Sequence, residues 1–536
     1  MKTRFSMNGF NMIITIIFWM IIGYFAGDCG MGIYITAYII YGFLYMILMG
    51  SVMNTISKMV SVRCYRGLHE NAKKVFNYGM LYSFLTGLFI CILLLSCGNF
   101  LINALCGTTL PASVVKVFGV YFFVRALNNC LTGYYQGLGN VFTYNMSVFI
   151  KDILLIISAP FIVNIFYSYG EKVGKLVNNP LYAHVYGAMG AGILLCLTSI
   201  VTFLILILFF RRTIRNQNME VNKSAVRGVD TSKSFLNNFL VLSFRILRSN
   251  LFPLTAVFAL VILYINTSIK NGLAIESVFT NVGVIFGKLI VICLFPLCIF
   301  KEYVTKEKMK IHNDFIREES KNMRIRSGYF IKNSLFILLP ITIMAITLAQ
   351  PIVMIFFDGR MKLGVNMLRI GGVLILLGGM TMVLKSILTA IQKETDVLLY
   401  SLVSLVAAIV FAIVMFKKDT SISMLVYCFV LYYTIQVLLM SFAVYKQPRV
   451  ILYEFKYRFI VMGIAGAIVA VAELILDYFL VMNVFLLILC VVIGYVLYLT
   501  TIFVLKGITK KDEQALRDSF IYLPIHFITQ KLHLWN

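Results

Sequence analysis

Long apolar runs alternate along this chain with short polar breaks. A membrane-spanning helix needs about 20 mostly apolar residues. Fourteen runs meet that need, at 10–27, 33–56, 75–97, 112–134, 142–166, 183–210, 239–264, 277–300, 330–357, 363–391, 397–416, 422–445, 457–478 and 482–505. The first run is too long for a signal peptide, and no small-x-small cleavage site follows it, so it reads as a helix. The pattern predicts an all-α polytopic membrane protein of about 14 transmembrane helices.

Composition narrows the class further. Of 536 residues, 60% are apolar and 13% charged, against about 45–50% and about 25% in soluble domains. A soluble enzyme, a secreted disulfide scaffold and a disordered chain are all excluded. The eleven cysteines show no C-x-x-C and no metal-ligand spacing. Most lie inside apolar runs and read as small hydrophobes. Cys29 and Cys106 are expected in outer loops, and neither a structural disulfide nor a metal or cofactor site is expected.

The charge is lopsided, with 47 Lys and Arg against 22 Asp and Glu. On a soluble protein that surplus would suggest nucleic acid. Here topology explains it. With the N-terminus inside, the inner segments hold 32 basic residues, the outer ones 7 and the spans 8. Cytoplasmic loops are the Lys/Arg-rich ones, so both termini are expected in the cytoplasm and no nucleic-acid partner is needed. The inner segment 301–329 places Val304, Ile311 and Phe315 at helical spacing. It reads either as a helix lying on the inner leaflet or as a solvated charged loop.

A weak internal repeat appears at an offset of 252–253 residues. A loop ending in Gly107 precedes the helix with Lys116, and a loop with Gly359 precedes the helix with Arg369. Each helix ends at a short inner turn, 136–140 and 390–394. The expected organisation is an N-terminal lobe (1–215), a cytoplasmic linker (216–238), a C-terminal lobe (239–445) and a final segment with helices 13–14 and a tail (446–536). The two six-helix lobes would form a parallel repeat about an axis along the membrane normal.

Ionisable residues inside a membrane are expensive and mark function. The basic ones in the spans are Lys116, Arg125, Lys151, Arg245, Arg248, Lys288, Arg369 and Lys385; the acidic ones are Asp152, Glu473 and Asp477. Arg125 shares a helix face with Asn128, Asn129 and Gln136, and Lys288 shares one with Asn281. Arg245 and Arg248 share a face in the inner third of helix 7. A cationic, partly polar cavity is the expected construction, suited to phosphate oxygens. Alternatives stand beside this. Lys116 and Arg369 near the outer ends, and Lys385 and Arg245 near the inner ends, can snorkel to the interface. Lys151 can be neutralised by Asp152. Glu473 and Asp477 read as interfacial. The string Gly283-x-x-x-Gly287-Lys288-Leu289 has the wrong spacing for a P-loop and lies in an apolar helix.

With its helix count, two lobes and the string Thr-Gly-Tyr-Tyr-Gln-Gly-Leu-Gly-Asn at 132–140, the chain resembles the polysaccharide-exporter branch of the multidrug/oligosaccharidyl-lipid/polysaccharide (MOP) superfamily. Stage V sporulation protein B and lipid II flippases are relatives in that branch. Gly187-Ala-Met-Gly-Ala-Gly192, Leu-Arg-Ile-Gly-Gly at 368–372 and Leu505-Lys-Gly-Ile-Thr-Lys-Lys-Asp512 agree in style. The resemblance implies a flippase, not an enzyme, moving an undecaprenyl-pyrophosphate-linked saccharide across the bacterial plasma membrane by alternating access. It implies membrane lipids and other envelope polysaccharide biosynthesis proteins as partners. The first helix lacks the arginines that lipid II flippases carry, which points to another lipid-linked saccharide. The rival readings are a MATE-type cation antiporter, disfavoured by the scarcity of deep carboxylates, and a membrane polymerase or glycosyltransferase, disfavoured by short outer loops. A non-transporting scaffold is disfavoured by the buried cations.

Overall fold

A computed structural model describes residues 7–221, 232–248, 251–356, 361–446, 456–479, 484–505 and 507. These residues fold into helices, with no strand among them. In chain order they are α1 (Met7–Phe25), α2 (Gly27–Met49), α3 (Val52–Tyr65), α4 (His69–Cys106), α5 (Ala112–Gly137), α6 (Val141–Val177), α7 (Leu181–Val221), α8 (Ser232–Arg248), α9 (Leu251–Lys270) and α10 (Ile275–Val284). A π-turn (Ile285–Leu289) joins α10 to α11 (Ile290–Ile316). Then follow α12 (Ser320–Thr347), α13 (Ala349–Phe356), α14 (Met361–Gly371), α15 (Val373–Ala390), α16 (Glu394–Lys418), α17 (Ile422–Lys446), α18 (Lys456–Phe479) and α19 (Val484–Val504).

Thirteen stretches among the described residues are long and apolar enough to cross a membrane, and a shorter apolar helix, Asn11–Phe25, stands at the first expected span. The chain is a polytopic membrane protein. Large apolar side chains stay exposed along these helices, for example Phe89, Phe161, Leu208 and Phe485. Hydrocarbon tolerates that exposure, whereas water would not. Pro160, Pro296 and Pro340 lie within α6, α11 and α12, as membrane helices permit.

Two expectations about elements are corrected. The run 239–264 is not one helix. It divides into α8 and α9, and Pro253 sits in the first turn of α9, where its missing N–H costs no helical bond. Arg245 and Arg248 therefore belong to α8, ahead of the span, and not to the inner third of helix 7. The segment 301–329 is neither a separate interfacial helix nor a loop. No Gly or Pro interrupts 301–316, so α11 continues to Ile316 and a tight turn feeds α12. His312 on this extension hydrogen-bonds through Nδ1 to the Ala390 carbonyl at the end of α15, at 2.8 Å.

The chain divides into two compact units. The first is Met1–Gly287 with Ile413–Thr420, the second Lys288–Ala412 with Ser421–Asn536. The division falls within the π-turn rather than at 216–238. Packing explains this. Gly32 of α2 and Gly283 of α10 meet backbone to backbone. A methyl group on Gly32 would overlap the Phe279 carbonyl, and one on Gly283 the Asp28 carbonyl. Small residues allow this closeness, and it draws α9 and α10 into the first unit. The 413–420 segment joins through Asn271 Nδ2 donating to the Phe416 carbonyl (3.1 Å) and the Tyr264 hydroxyl donating to the Thr420 carbonyl (3.2 Å).

Left-handed residues among the described ones close helix-to-helix turns at Gly27, Gly67, Gly107, Gly139, Asn178, Gly272, Glu318 and Gln392. Gly139 and Gln392 lie in the two inner turns 136–140 and 390–394.

Candidate functional site

In the first unit α5 is the central helix, packed on α2, α3, α4 and α7, and most of its residues are buried. Arg125 lies at its middle and is half-buried. Its guanidinium is within electrostatic reach of the hydroxyls of Tyr41 and Tyr45 on α2, Tyr121 one turn earlier on α5, and Tyr144 on α6. The Tyr45 hydroxyl hydrogen-bonds with both Arg125 and Asn129. Asn129 also donates Nδ2 to the Met49 carbonyl at 3.4 Å. The rings support one another: Tyr41 lies 5.0 Å from Tyr121 and 5.5 Å from Tyr45 between centroids. The i, i+3 and i+4 spacing of the α2 aromatics places them along one helix face.

One carboxylate approaches this group. Asp152 on α6 is 1% exposed and interacts electrostatically with Arg125. Lys151 holds it directly, Nζ to Oδ1 at 3.1 Å. Two cations therefore share one carboxylate inside an apolar bundle. Phenolic oxygens solvate the guanidinium without neutralising it, so the group retains net positive charge. Such a site can accept an anion with paired oxygens, because a guanidinium presents two parallel N–H donors.

The other expected site residues are scattered. Asn128 turns to α7 and donates Nδ2 to the Ser199 carbonyl at 2.9 Å, at 1% exposure. Gln136 is half-buried at the end of α5. Asn281 donates to the Tyr264 hydroxyl at 3.0 Å, extending the chain of bonds that ends at Thr420. Lys116 lays its stem against Gly98, Cγ at 3.3 Å from where a Cβ would stand. Arg369 is exposed on α14 and interacts electrostatically with Asp477. Lys288 is half-buried within the π-turn; such turns often mark functional positions. The side chains of Arg245 and Arg248 lie outside the described residues.

The second unit holds features that the sequence pattern did not reveal. Lys385 on α15 meets the charges of Lys301 and Lys308 on the α11 extension. Lys332 on α12 is 1% exposed, with Nζ 5.2 Å from the Tyr329 ring centroid. It lies inside an apolar run, and that was the available signal. Glu473 is not interfacial: it is fully buried. Its Oε2 is bonded by the Thr347 hydroxyl of α12, and its Oε1 has no hydrogen-bond partner among the described residues. Gly494 of α19 makes room for it, since a methyl group there would overlap Oε1. Cys29 and Cys106, expected in loops, are buried within α2 and at the end of α4.

Comparison with solved structures bears on the whole arrangement. An inward-facing multidrug resistance MATE family transporter of the MOP superfamily superposes with a TM-score of 0.62 at 15% identity, over 82% of this chain and 94% of the other. The lipid II flippase MurJ, in an inward closed conformation, gives 0.59 at 16% identity, over 92% of this chain and 97% of that one. The chain has the MOP transporter fold. A MOP superfamily transporter from Pyrococcus furiosus, whose binding pocket is described as having reverse polarity that suggests a different function, gives 0.55 at 16% identity over 81% and 92%. No family model matches the sequence. No curated protein sequence matches it either. The similar MOP structures are transporters and a flippase, not enzymes.

Proposed function

We propose that this protein is a flippase that carries a lipid-linked, pyrophosphate-bearing saccharide, with undecaprenyl as the carrier lipid, across the bacterial plasma membrane by alternating access. The observation that carries this reading is the tyrosine-lined Arg125, whose neighbouring carboxylate is already engaged by Lys151. A cation surplus in the bundle interior suits a diphosphate and repels an organic cation. One further point supports it. The basic surplus of the inner segments orients both termini to the cytoplasm, the side on which such precursors would be loaded. Other envelope polysaccharide biosynthesis proteins would supply or consume the substrate.

The test is flipping in proteoliposomes of a fluorescent polyprenyl-pyrophosphate disaccharide. The wild-type protein is expected to flip it. Arg125→Ala is expected to slow flipping about 10- to 150-fold, the equivalent of one charge-assisted hydrogen bond of about 1.5–3 kcal/mol. Wild-type rates in a folded Arg125→Ala protein would sink the reading.

One observation favours a second reading, export of an organic cation: Glu473 is a fully buried membrane carboxyl. Ethidium efflux from the same liposomes, lost in Glu473→Gln and kept in Arg125→Ala, would select it.

A further inference from the structure

Between α11 and α12 opens a cavity of about 350 Å³, at the small end of the range of about 300–1,000 Å³ for ligand pockets. Its floor is Asn333. This side chain is 1% exposed, and neither its Oδ1 nor its Nδ2 has a hydrogen-bond partner among the described residues. A buried carboxamide left unpaired is costly and asks for a ligand. Its wall carries Tyr303 and Tyr329.

The two ion pairs at the cavity are internally neutral. Lys310 is held by Glu307 at 2.6 Å, and Arg326 by Asp314 at 2.8 Å. A phosphate gains no net attraction from two neutral pairs, and neither does a cation. An apolar ligand would leave Asn333 unpaired. What fits is a neutral molecule whose neighbouring groups each donate and accept. Vicinal hydroxyls do so: Asn333 offers one donor and one acceptor, Glu307 accepts, and Lys310 and Arg326 donate. The tyrosines can cover the C–H face of a ring.

We propose that this cavity is a saccharide-binding site that docks one or two sugar residues. It deepens the flippase reading, on which the identity of the physiological ligand rests: the sugar of the lipid-linked substrate would engage here while its pyrophosphate is still on the inner side.

The test uses the full-length protein in nanodiscs with N-acetylglucosamine, glucose and rhamnose as probes, followed by saturation-transfer NMR. At least one sugar is expected to bind weakly and saturably. Asn333→Leu, similar in size but unable to hydrogen-bond, is expected to weaken it at least tenfold, and Arg125→Ala to leave it unchanged. Binding by none of the three sugars, or undiminished binding by Asn333→Leu, overturns the site. If Asn333→Leu does not fold, hydrogen exchange of the wild type decides. Sugar-dependent protection within 303–333 supports the site, and its absence overturns it. Sugar binding without any flipping of the polyprenyl-linked probe would remove the flippase reading and leave this site standing. Flipping with no sugar bound by the cavity would do the reverse.

Discussion

Two ionisable side chains within the helix bundles, the half-buried Arg125 in the first unit and the fully buried Glu473 in the second, solve the same physical problem in opposite ways. Arg125 is wrapped in hydroxyl groups from α2, α5 and α6, and a carboxylate nearby is already shared with Lys151. Glu473 is enclosed by a threonine on α12 and a glycine on α19. The first arrangement keeps a charge and leaves donors available to a partner. The second buries a carboxyl by shape, filling the space that a glycine leaves. A buried charge is costly unless paired or hydrogen-bonded, so the hydroxyl lining of Arg125 is what makes a retained cation affordable. The difference teaches that the burial of an ionisable residue does not by itself mark a binding site; what matters is whether its bonding capacity is left over.

The sharpest way to break this contrast is to reverse one charge and erase the other. Arg125→Glu removes the donors and sets a second carboxylate beside Asp152. Its effect on flipping is expected to exceed that of Arg125→Ala, beyond about 150-fold. Glu473→Gln keeps the shape and the Thr347 partner. It is expected to retain more than half of the flipping rate. Measured side by side in liposomes, equal losses in the two variants would erase the distinction between a binding charge and a packed carboxyl.

The next effect concerns shape. Gly494→Val drives a side chain into the Glu473 carboxyl. Overpacking of this kind costs about 1–3 kcal/mol, to be read as a lower unfolding temperature in detergent. Adding Glu473→Ala removes the obstacle. Part of the stability should return, with a coupling of about 0.5–3 kcal/mol. Simple additivity in the double mutant would mean that Gly494 is not there to house the carboxyl.

These cases show how much the sequence makes legible. The helices were readable because each apolar run is long and the breaks between runs are strongly basic. Arg125 was readable because an arginine in the middle of such a run has nowhere to snorkel. The burial of Glu473 is not legible, because hydropathy gives distance along a helix and not which neighbours cover it; near the end of a run, a carboxyl on the lipid side and one under two other helices look alike. The α11 extension is hidden for another reason. A charged stretch following an apolar run suggests a loop, yet without Gly or Pro the helix carries on, and it brings Lys301 and Lys308 against Lys385. Arg245 and Arg248 look like part of a span because apolar residues flank them on both sides; Pro253 is the sign that a new helix begins.

A smaller effect sharpens the role of the tyrosines. Tyr45→Phe deletes the hydroxyl that bonds Arg125 and Asn129 while keeping the ring. A hydrogen bond of this kind is worth about 0.5–1.5 kcal/mol, so flipping should fall by about 2- to 13-fold, with the unfolding temperature little changed. A larger fall in stability than in flipping would make Tyr45 a packing residue, and the hydroxyl lining would lose its place in the comparison.

The smallest effect is expected at Arg369. Like Arg125 it is an arginine on a helix expected to span, and its helix corresponds by the repeat to the helix carrying Lys116. Yet it is exposed on α14 and acts on Asp477 rather than on a buried cluster. Exposed pairs contribute about 0–1 kcal/mol. Arg369→Ala should leave flipping within about twofold of wild type and stability within about 0.5 kcal/mol. The same substitution at Arg125 is expected to cost far more. Both are arginines with a carboxylate in reach, but Arg125 stands at mid-helix among hydroxyl groups and Arg369 near a helix end in the open, so a gap in their effects reports those surroundings. Equal effects would mean that any arginine in these helices serves, and that the tyrosine-lined position confers nothing of its own.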